Sequence, residues 1–372
     1  MAKRRANGQG SIYQRKDGRW AASAMVNGER RSFYGRSHAE ASDKLLDALK
    51  ANRDGLPVPR ETQTVKDFLE QWLKTAKPTL RPRTFAGYAE VVKLHLVPEL
   101  GNTRLARLTP QQVQALLNKK LAAKLSPRSV QLIRAILRRA LAQALKWGLV
   151  ARNVATLVDP PRVIRHEITP LSPENARKLM AAAPEDRLGA LYTLCLAMGL
   201  RQGEALGLRW PDVELERGLL RVNVALQRIN GTFFLVEPKT AKSRRTLHLP
   251  KAVVATLKSH HTRQTEERLK MGQHWQNTWG LVFTTTLGTP LDAGTVTHSF
   301  QKFLVRAGIP RIRFHDLRHS TASLLYAQGV PLRSIMEVLG HSQISLTANL
   351  YTHIMPALQK DAADRMDAIL GG

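Results

Sequence analysis

The sequence predicts a mainly α-helical chain with small β elements, an α+β arrangement in three parts. Three observations carry this. Short strand-like runs separated by Asp-Gly and Asn-Gly occupy residues 8–37. Apolar residues recur at helix spacing from 62 to 165. From 170 onward, helical patterns are broken once by a strand-rich patch at 219–249. In the first part, Ser11-Ile12-Tyr13, Trp20 to Val26 and Arg30 to Tyr34 read as a three-stranded meander. Asp17-Gly18 and Asn27-Gly28 sit at its turns because both pairs tolerate positive φ. So small a sheet is marginal alone, so the helix expected at 37–52 must cover one face. Gly55-Leu56-Pro57-Val58-Pro59 then reads as a linker.

The second part predicts a four-helix module. Val65, Phe68, Leu69, Trp72 and Leu73 mark its first helix, and residues 84–96 its second, stopped near Pro98 and Gly101. Thr109-Pro110 opens a third helix through Leu121, with an N-cap followed by proline in the first turn. Ser126-Pro127 opens a fourth, which runs to Trp147 and ends at Gly148. On this last helix Val130, Ile133, Leu137, Leu141 and Ala144 share a face, while Arg134, Arg138 and Arg139 lie off it. In the third part, Leu171-Ser172-Pro173-Glu174 starts helices at 173–183, 186–200 and 203–209. Strands follow at Leu219 to Ala225, Thr232 to Val236 and Arg244 to Leu249. Helices return at 251–270, 292–307, 315–328, 332–339, 345–354 and 357–369.

Charge narrows the class of partner. Against 29 Asp+Glu the chain carries 57 Lys+Arg, a formal net charge of +28. An excess of that size points to a polyanion, nucleic acid first. Residues 80–165 hold sixteen Lys/Arg and three acids, a balance suited to phosphate contacts. Lys119, Lys120, Arg128, Arg134 and Arg138 are the candidate contacts there, with Arg19 and Arg31 in the N-terminal sheet, whose open face suits a DNA groove. Cys195 is the one cysteine, so an intrachain disulfide and a multi-cysteine zinc site are both excluded. The N-terminus lacks the apolar stretch of a secretory signal, and the uncharged run Leu188 to Leu200 is too short to span a bilayer. The expectation is a cytoplasmic protein with no membrane contact.

Within the third part, polar residues that an ordinary core avoids sit beside apolar helices. Arg201 and Glu204 occur in Leu200-Arg201-Gln202-Gly203-Glu204, and Lys239 in Pro238-Lys239-Thr240 between two strands. His315 and Arg318, at spacing i and i+3, project from one side of a helix start. His341 follows in Gly340-His341-Ser342, and Tyr351 ten residues later in Leu350-Tyr351-Thr352. Taken singly, each is more often a cap, a surface charge or a packing residue.

In order and spacing, Arg…Lys…His-x-x-Arg…Gly-His…Tyr resembles the catalytic box of the tyrosine recombinases, the phage-integrase family, with every position filled. The resemblance covers residues 170–356 strongly. It implies an N-terminal arm-type DNA-binding domain at 1–57, a helical core-binding domain at 62–165 and a catalytic domain at 170–372. It also implies that Tyr351 forms a 3′-phosphotyrosyl link and that four protomers on double-stranded DNA exchange strands through a Holliday junction. DNA-bending or excision accessory proteins are further partners it allows.

The chemistry fits these residue types. Displacement at a DNA phosphorus needs its non-bridging oxygens neutralised, a nucleophile activated and the leaving 5′-oxygen protonated. Arg201 and Arg318 suit the first task, because guanidinium stays charged and binds phosphate bidentately. His315 is the candidate proton acceptor for the phenol, with His341 donating a hydrogen bond to the phosphate or assisting, and Lys239 or Lys242 the candidate general acid. Glu204 is expected to orient Arg201 or His315. No phosphate-cradling glycine loop and no acidic pair for two metals is present in the sequence, so a reaction without metal or cofactor is expected. A type IB topoisomerase, which uses a similar residue set, and a DNA-binding regulator without catalysis are the alternatives. The first would relax supercoils without site preference, and the second needs a broken constellation.

Overall fold

The computed structural model of the chain describes residues 10–26, 28–53, 62–164, 169–237, 244–340, 366–367 and 370–371. It divides into two compact units, Met1–Arg165 and His166–Gly372.

The first unit holds two separate hydrophobic cores. Strands β1 (Ser11–Gln14), β2 (Trp20–Val26) and β3 (Glu29–Gly35) form an antiparallel meander, order β1-β2-β3. The turns differ in part from the expectation: Gly18 has φ +80° and Gly28 φ +77°, but Asp17 does not take a positive φ, and the first turn is a longer loop spanning Arg15 to Arg19. Helix α1 (His38–Arg53) covers one face, packing Ala41, Leu45 and Ala48 against Ala22, Ala24 and Phe33.

Helices α2 (Val65–Ala76), α3 (Pro82–Val91), α4 (Val97–Leu100), α5 (Pro110–Ala122) and α6 (Pro127–Lys146) build the second core. Thr109 and Gln112 make the reciprocal capping box that opens α5, and the Ser126 hydroxyl accepts from Ser129 N–H to open α6. The second helix stops beside Gly101, as expected, but four residues beyond the expected Leu96 and only after passing through Pro98. A wide π turn at Val92–Leu96 joins α3 to α4, so the helical path continues to Leu100. The widened turn removes the normal demand for a proline N–H and relieves its clash with the preceding turn. The expected linker at 55–59 lies outside the described residues.

In the second unit, helices α7 (Pro173–Ala182), α8 (Gly189–Met198) and α9 (Gln202–Leu206) precede the strands. The single strand expected from Leu219 to Ala225 is two, broken at Asn223-Val224. β4 (Val213–Glu214), β5 (Leu219–Val222) and β8 (Arg245–His248) make one sheet, while β6 (Ala225–Ile229) pairs with β7 (Thr232–Val236) as a hairpin. Helices α10 (Lys251–Met271), α11 (Ala293–Arg306), α12 (Asp316–Ala327) and α13 (Leu332–Leu339) follow. Helix α8 is apolar on all sides and lies at the centre of the core. The helices expected at 345–354 and, for the most part, 357–369 lie outside the described residues.

Candidate active site

Two helix C-termini and one N-terminus assemble the site. Helix α8 ends at Gly199, φ +60°, and α13 ends at Gly340, φ +65°. Glycine adopts this left-handed conformation without a Cβ penalty, and in doing so it turns the last carbonyls of the helix outward. Those carbonyls sit at the negative end of the helix dipole, where cations are favoured. Arg318, in the first turn of α12, is 2% exposed and spans both ends. Its Nη1 donates to the Gly199 carbonyl and its Nη2 to the Leu339 carbonyl, each at 2.6 Å. Burial, and then neighbouring Arg201, push its pKa down to about 9, which leaves it charged at neutral pH. Packing of α12 against α8 fixes this placement, with the Thr321 hydroxyl donating to the Leu196 carbonyl at 2.6 Å.

Arg201 immediately precedes α9 and keeps its side chain 38% exposed. Its Nη2 donates to the Gly340 carbonyl at 3.3 Å and its Nη1 to Glu204 Oε1 at 2.6 Å. Glu204 closes the turn by accepting from the Arg201 backbone N–H at 3.1 Å. Burial alone would raise the Glu204 pKa, but Arg245 and then Arg201 override it and hold the carboxylate below its ordinary range. Arg245, on β8, joins this cluster although sequence reasoning did not single it out. Only 7% exposed, it donates Nη2 to Glu204 Oε2 at 3.0 Å and Nε to the Val338 carbonyl at 2.7 Å.

His315 immediately precedes α12, without a side-chain cap to it, and the neighbouring Asp316 is held by Arg313. Burial, and then Arg318, lower its pKa, so the imidazole is neutral at pH 7. His319 lies edge-on to it at 5.0 Å, and burial and then His315 push its pKa down to about 4. The fold therefore brings together Arg201, Glu204, His315 and Arg318. Lys239, its alternative Lys242, His341 and Tyr351 lie outside the described residues. Tyr192 and Cys195 are poor nucleophiles here, because burial pushes both pKa values up.

The candidate DNA contacts fare unevenly. Arg128 and Arg138 are exposed on α6, and Arg134 is half-buried. Lys119 and Lys120 both bond Glu99, at 2.8 and 3.0 Å, so their charge is partly spent within the protein. Arg139, exposed, lies over the Tyr88 ring at 5.5 Å and donates to its hydroxyl. Arg19 is exposed and paired with Asp17 at 3.3 Å. Arg31 faces Ala24 across the sheet, which places it on the α1 side rather than the open side. The open side carries Tyr13, Met25, Arg30 and Tyr34. Among the described residues, no group of three or more His, Cys, Asp or Glu could hold a metal, and no helix is long and apolar enough to cross a membrane.

Comparison with known proteins adds an independent line. Residues 170–357 match the model of the phage integrase family, and residues 64–121 that of the phage integrase N-terminal SAM-like domain. A tyrosine recombinase XerC-like protein of Caldanaerobacter subterraneus is 34% identical over 357 residues, covering 91% of each chain. Among solved structures, the Tn1549 transposon integrase in complex with a circular intermediate DNA aligns with TM-score 0.68 at 18% identity, covering 82% of this chain and 99% of that one. A lambda integrase tetramer bound to a Holliday junction aligns with TM-score 0.58 at 19% identity, covering 93% and 96%. At these identities the two structures speak for the fold.

Proposed function

The chain belongs to the phage integrase family and is a site-specific DNA recombinase of the tyrosine class; from that premise we propose that it cuts and rejoins double-stranded DNA through Tyr351. The Tyr351 oxygen attacks phosphorus and gives its proton to His315. The 5′-oxygen leaves with a proton from Lys239 or Lys242, and a 3′-phosphotyrosyl link remains. Attack by a 5′-hydroxyl on that link reverses the step and restores a phosphodiester. The number of phosphoester bonds is conserved, so the cycle needs no ATP. Four protomers exchange strands in pairs through a Holliday junction, integrating or excising a mobile element. Residues 1–57, 62–165 and 170–372 act as arm-binding, core-binding and catalytic parts.

One observation carries this reading. The exposed Arg201 and the buried Arg318 lie within electrostatic reach of each other and of a neutral histidine. Three guanidiniums, Arg201, Arg245 and Arg318, gather around the single carboxylate of Glu204, and the positive charge it leaves uncompensated suits a phosphodiester anion, with the partly exposed Arg201 the member within its reach. The neutral His315 beside them is in the protonation state a general base requires.

Covalent trapping tests it. A nicked suicide duplex drawn from DNA flanking the gene is incubated with wild type and with Tyr351→Phe, in excess EDTA. The expected outcome is a denaturation-resistant protein–DNA adduct in wild type alone. An adduct in the phenylalanine variant moves the chemistry to another residue, strict Mg²⁺ dependence overturns the metal-free mechanism, and no adduct on specifically bound DNA favours a non-catalytic binder.

A further inference from the structure

We propose that Arg245 is a positioning residue for the recombination reaction: it balances the buried charge of Glu204, so that Glu204 can orient Arg201 without consuming the charge Arg201 offers to DNA. This rests on the proposed reading of the site. The contacts close a ring. Arg201 donates to Glu204, Glu204 accepts from Arg245, Arg245 donates to the Val338 carbonyl, and two residues later the Gly340 carbonyl accepts from Arg201.

The electrostatics explain why the ring needs its second cation. Glu204 is 5% exposed, and a carboxylate that deep remains ionised only if it is paired. Were Arg201 its sole partner, the pair would be neutral, and the guanidinium would be drawn away from an incoming phosphate. Arg245, only 7% exposed against 38% for Arg201, meets Glu204 away from solvent, where the attraction between the two charges is least screened. The trio then carries a net positive charge, with its one accessible member fixed in place. Arginine is required at 245 because its Nε and Nη2 serve two acceptors at once, which an ammonium on a flexible stem does not reproduce. The fit is close on another side too: a Cβ on Gly340 would lie 3.0 Å from Arg245 Nη1.

A double-mutant cycle on the full chain separates this role from a merely structural one. Adduct formation on the nicked duplex is measured in single turnover for wild type, Arg245→Gln, Glu204→Gln and the double variant, alongside DNA affinity and thermal unfolding. Arg245→Gln is expected to slow adduct formation on the order of 100-fold, the scale for losing one preorganised charge-stabilising group. DNA affinity should change far less. The double variant, which carries no unpaired buried carboxylate, is expected to fold as stably as wild type or better than the single variant and to recover part of the rate. Wild-type rates in Arg245→Gln would overturn the proposal. A double variant that folds like wild type yet is as slow as or slower than Arg245→Gln would also overturn it, since Arg245 would then not act through Glu204. Absence of an adduct in wild type would instead defeat the reading of the site itself.

Discussion

Arg318 has two hydrogen bonds to main-chain carbonyls at the ends of different helices, made by two separate nitrogens of a planar fork that the shorter, single-nitrogen lysine lacks. Arg318→Lys should therefore slow adduct formation on the order of 100-fold and destabilise the chain by about 1–3 kcal/mol, measured by single-turnover cleavage and urea unfolding. Retention of wild-type cleavage would show that the bridge is dispensable. Gly340→Ala should cost about 1–2 kcal/mol for the left-handed conformation alone, and its cleavage should suffer further through the crowded Arg245. The pH profile belongs to this scale as well. Because the pKa of His315 is depressed, the acid limb of kcat/KM should have its midpoint below the ordinary histidine value of about 6.5; a midpoint above that value would contradict a neutral, buried base. Arg201, His315 and Arg318 were legible through the order and spacing in which they resemble the recombinase box, and Glu204 through its place beside Arg201; taken singly, each would have passed for a cap or a surface charge. Arg245 was not legible, because its partners lie 41 residues upstream and 93 downstream, a pairing that only tertiary structure creates.

Among the elements, helix starts were the most legible features. Thr109-Pro110, Ser126-Pro127 and Ser172-Pro173 each open a helix with a side-chain cap, a signal confined to four residues. Gly101 marked the end of the second helix, but its passage through Pro98 was hidden, because a π turn that absorbs a proline leaves no mark in composition. The side taken by Arg31 was equally hidden, since strand parity depends on register, and register depends on which row α1 covers. Helix α10 yields a stability prediction. Its His260 is bound by the Val282 carbonyl and by Arg263, and burial in the core pushes its pKa down to about 4. The folded state thus holds that proton less tightly than the unfolded chain, so the neutral ring contributes its full stability above pH 6.5 and loses it as pH falls toward 4. The loss should amount to about 3 kcal/mol from this residue, and urea unfolding of His260→Gln across that range should show a flatter fall. An unchanged slope would assign the acid sensitivity elsewhere.

At the scale of the whole molecule, the net charge of +28 sets the expected response to salt. Binding to duplex DNA should weaken on the order of 1,000-fold between about 50 and 200 mM salt, as counterions released by several phosphate contacts are reclaimed. Titration by fluorescence anisotropy checks this, and a nearly flat dependence would contradict the charge argument. The sheet and α1 have a hydrophobic core of their own, distinct from that of α2–α6. Deleting residues 1–56 should accordingly spare cleavage at a core site while impairing use of a second, distal site. Loss of core cleavage on properly folded truncated protein would refute that division of labour. The two glycine-ended helices carry a further consequence, for how such a protein can change over generations. Arg318 is anchored by peptide carbonyls, which every residue possesses, so substitutions among the side chains around it leave its acceptors in place. Provided the helices still end where they do, the surrounding sequence is free to drift while the guanidinium keeps its address.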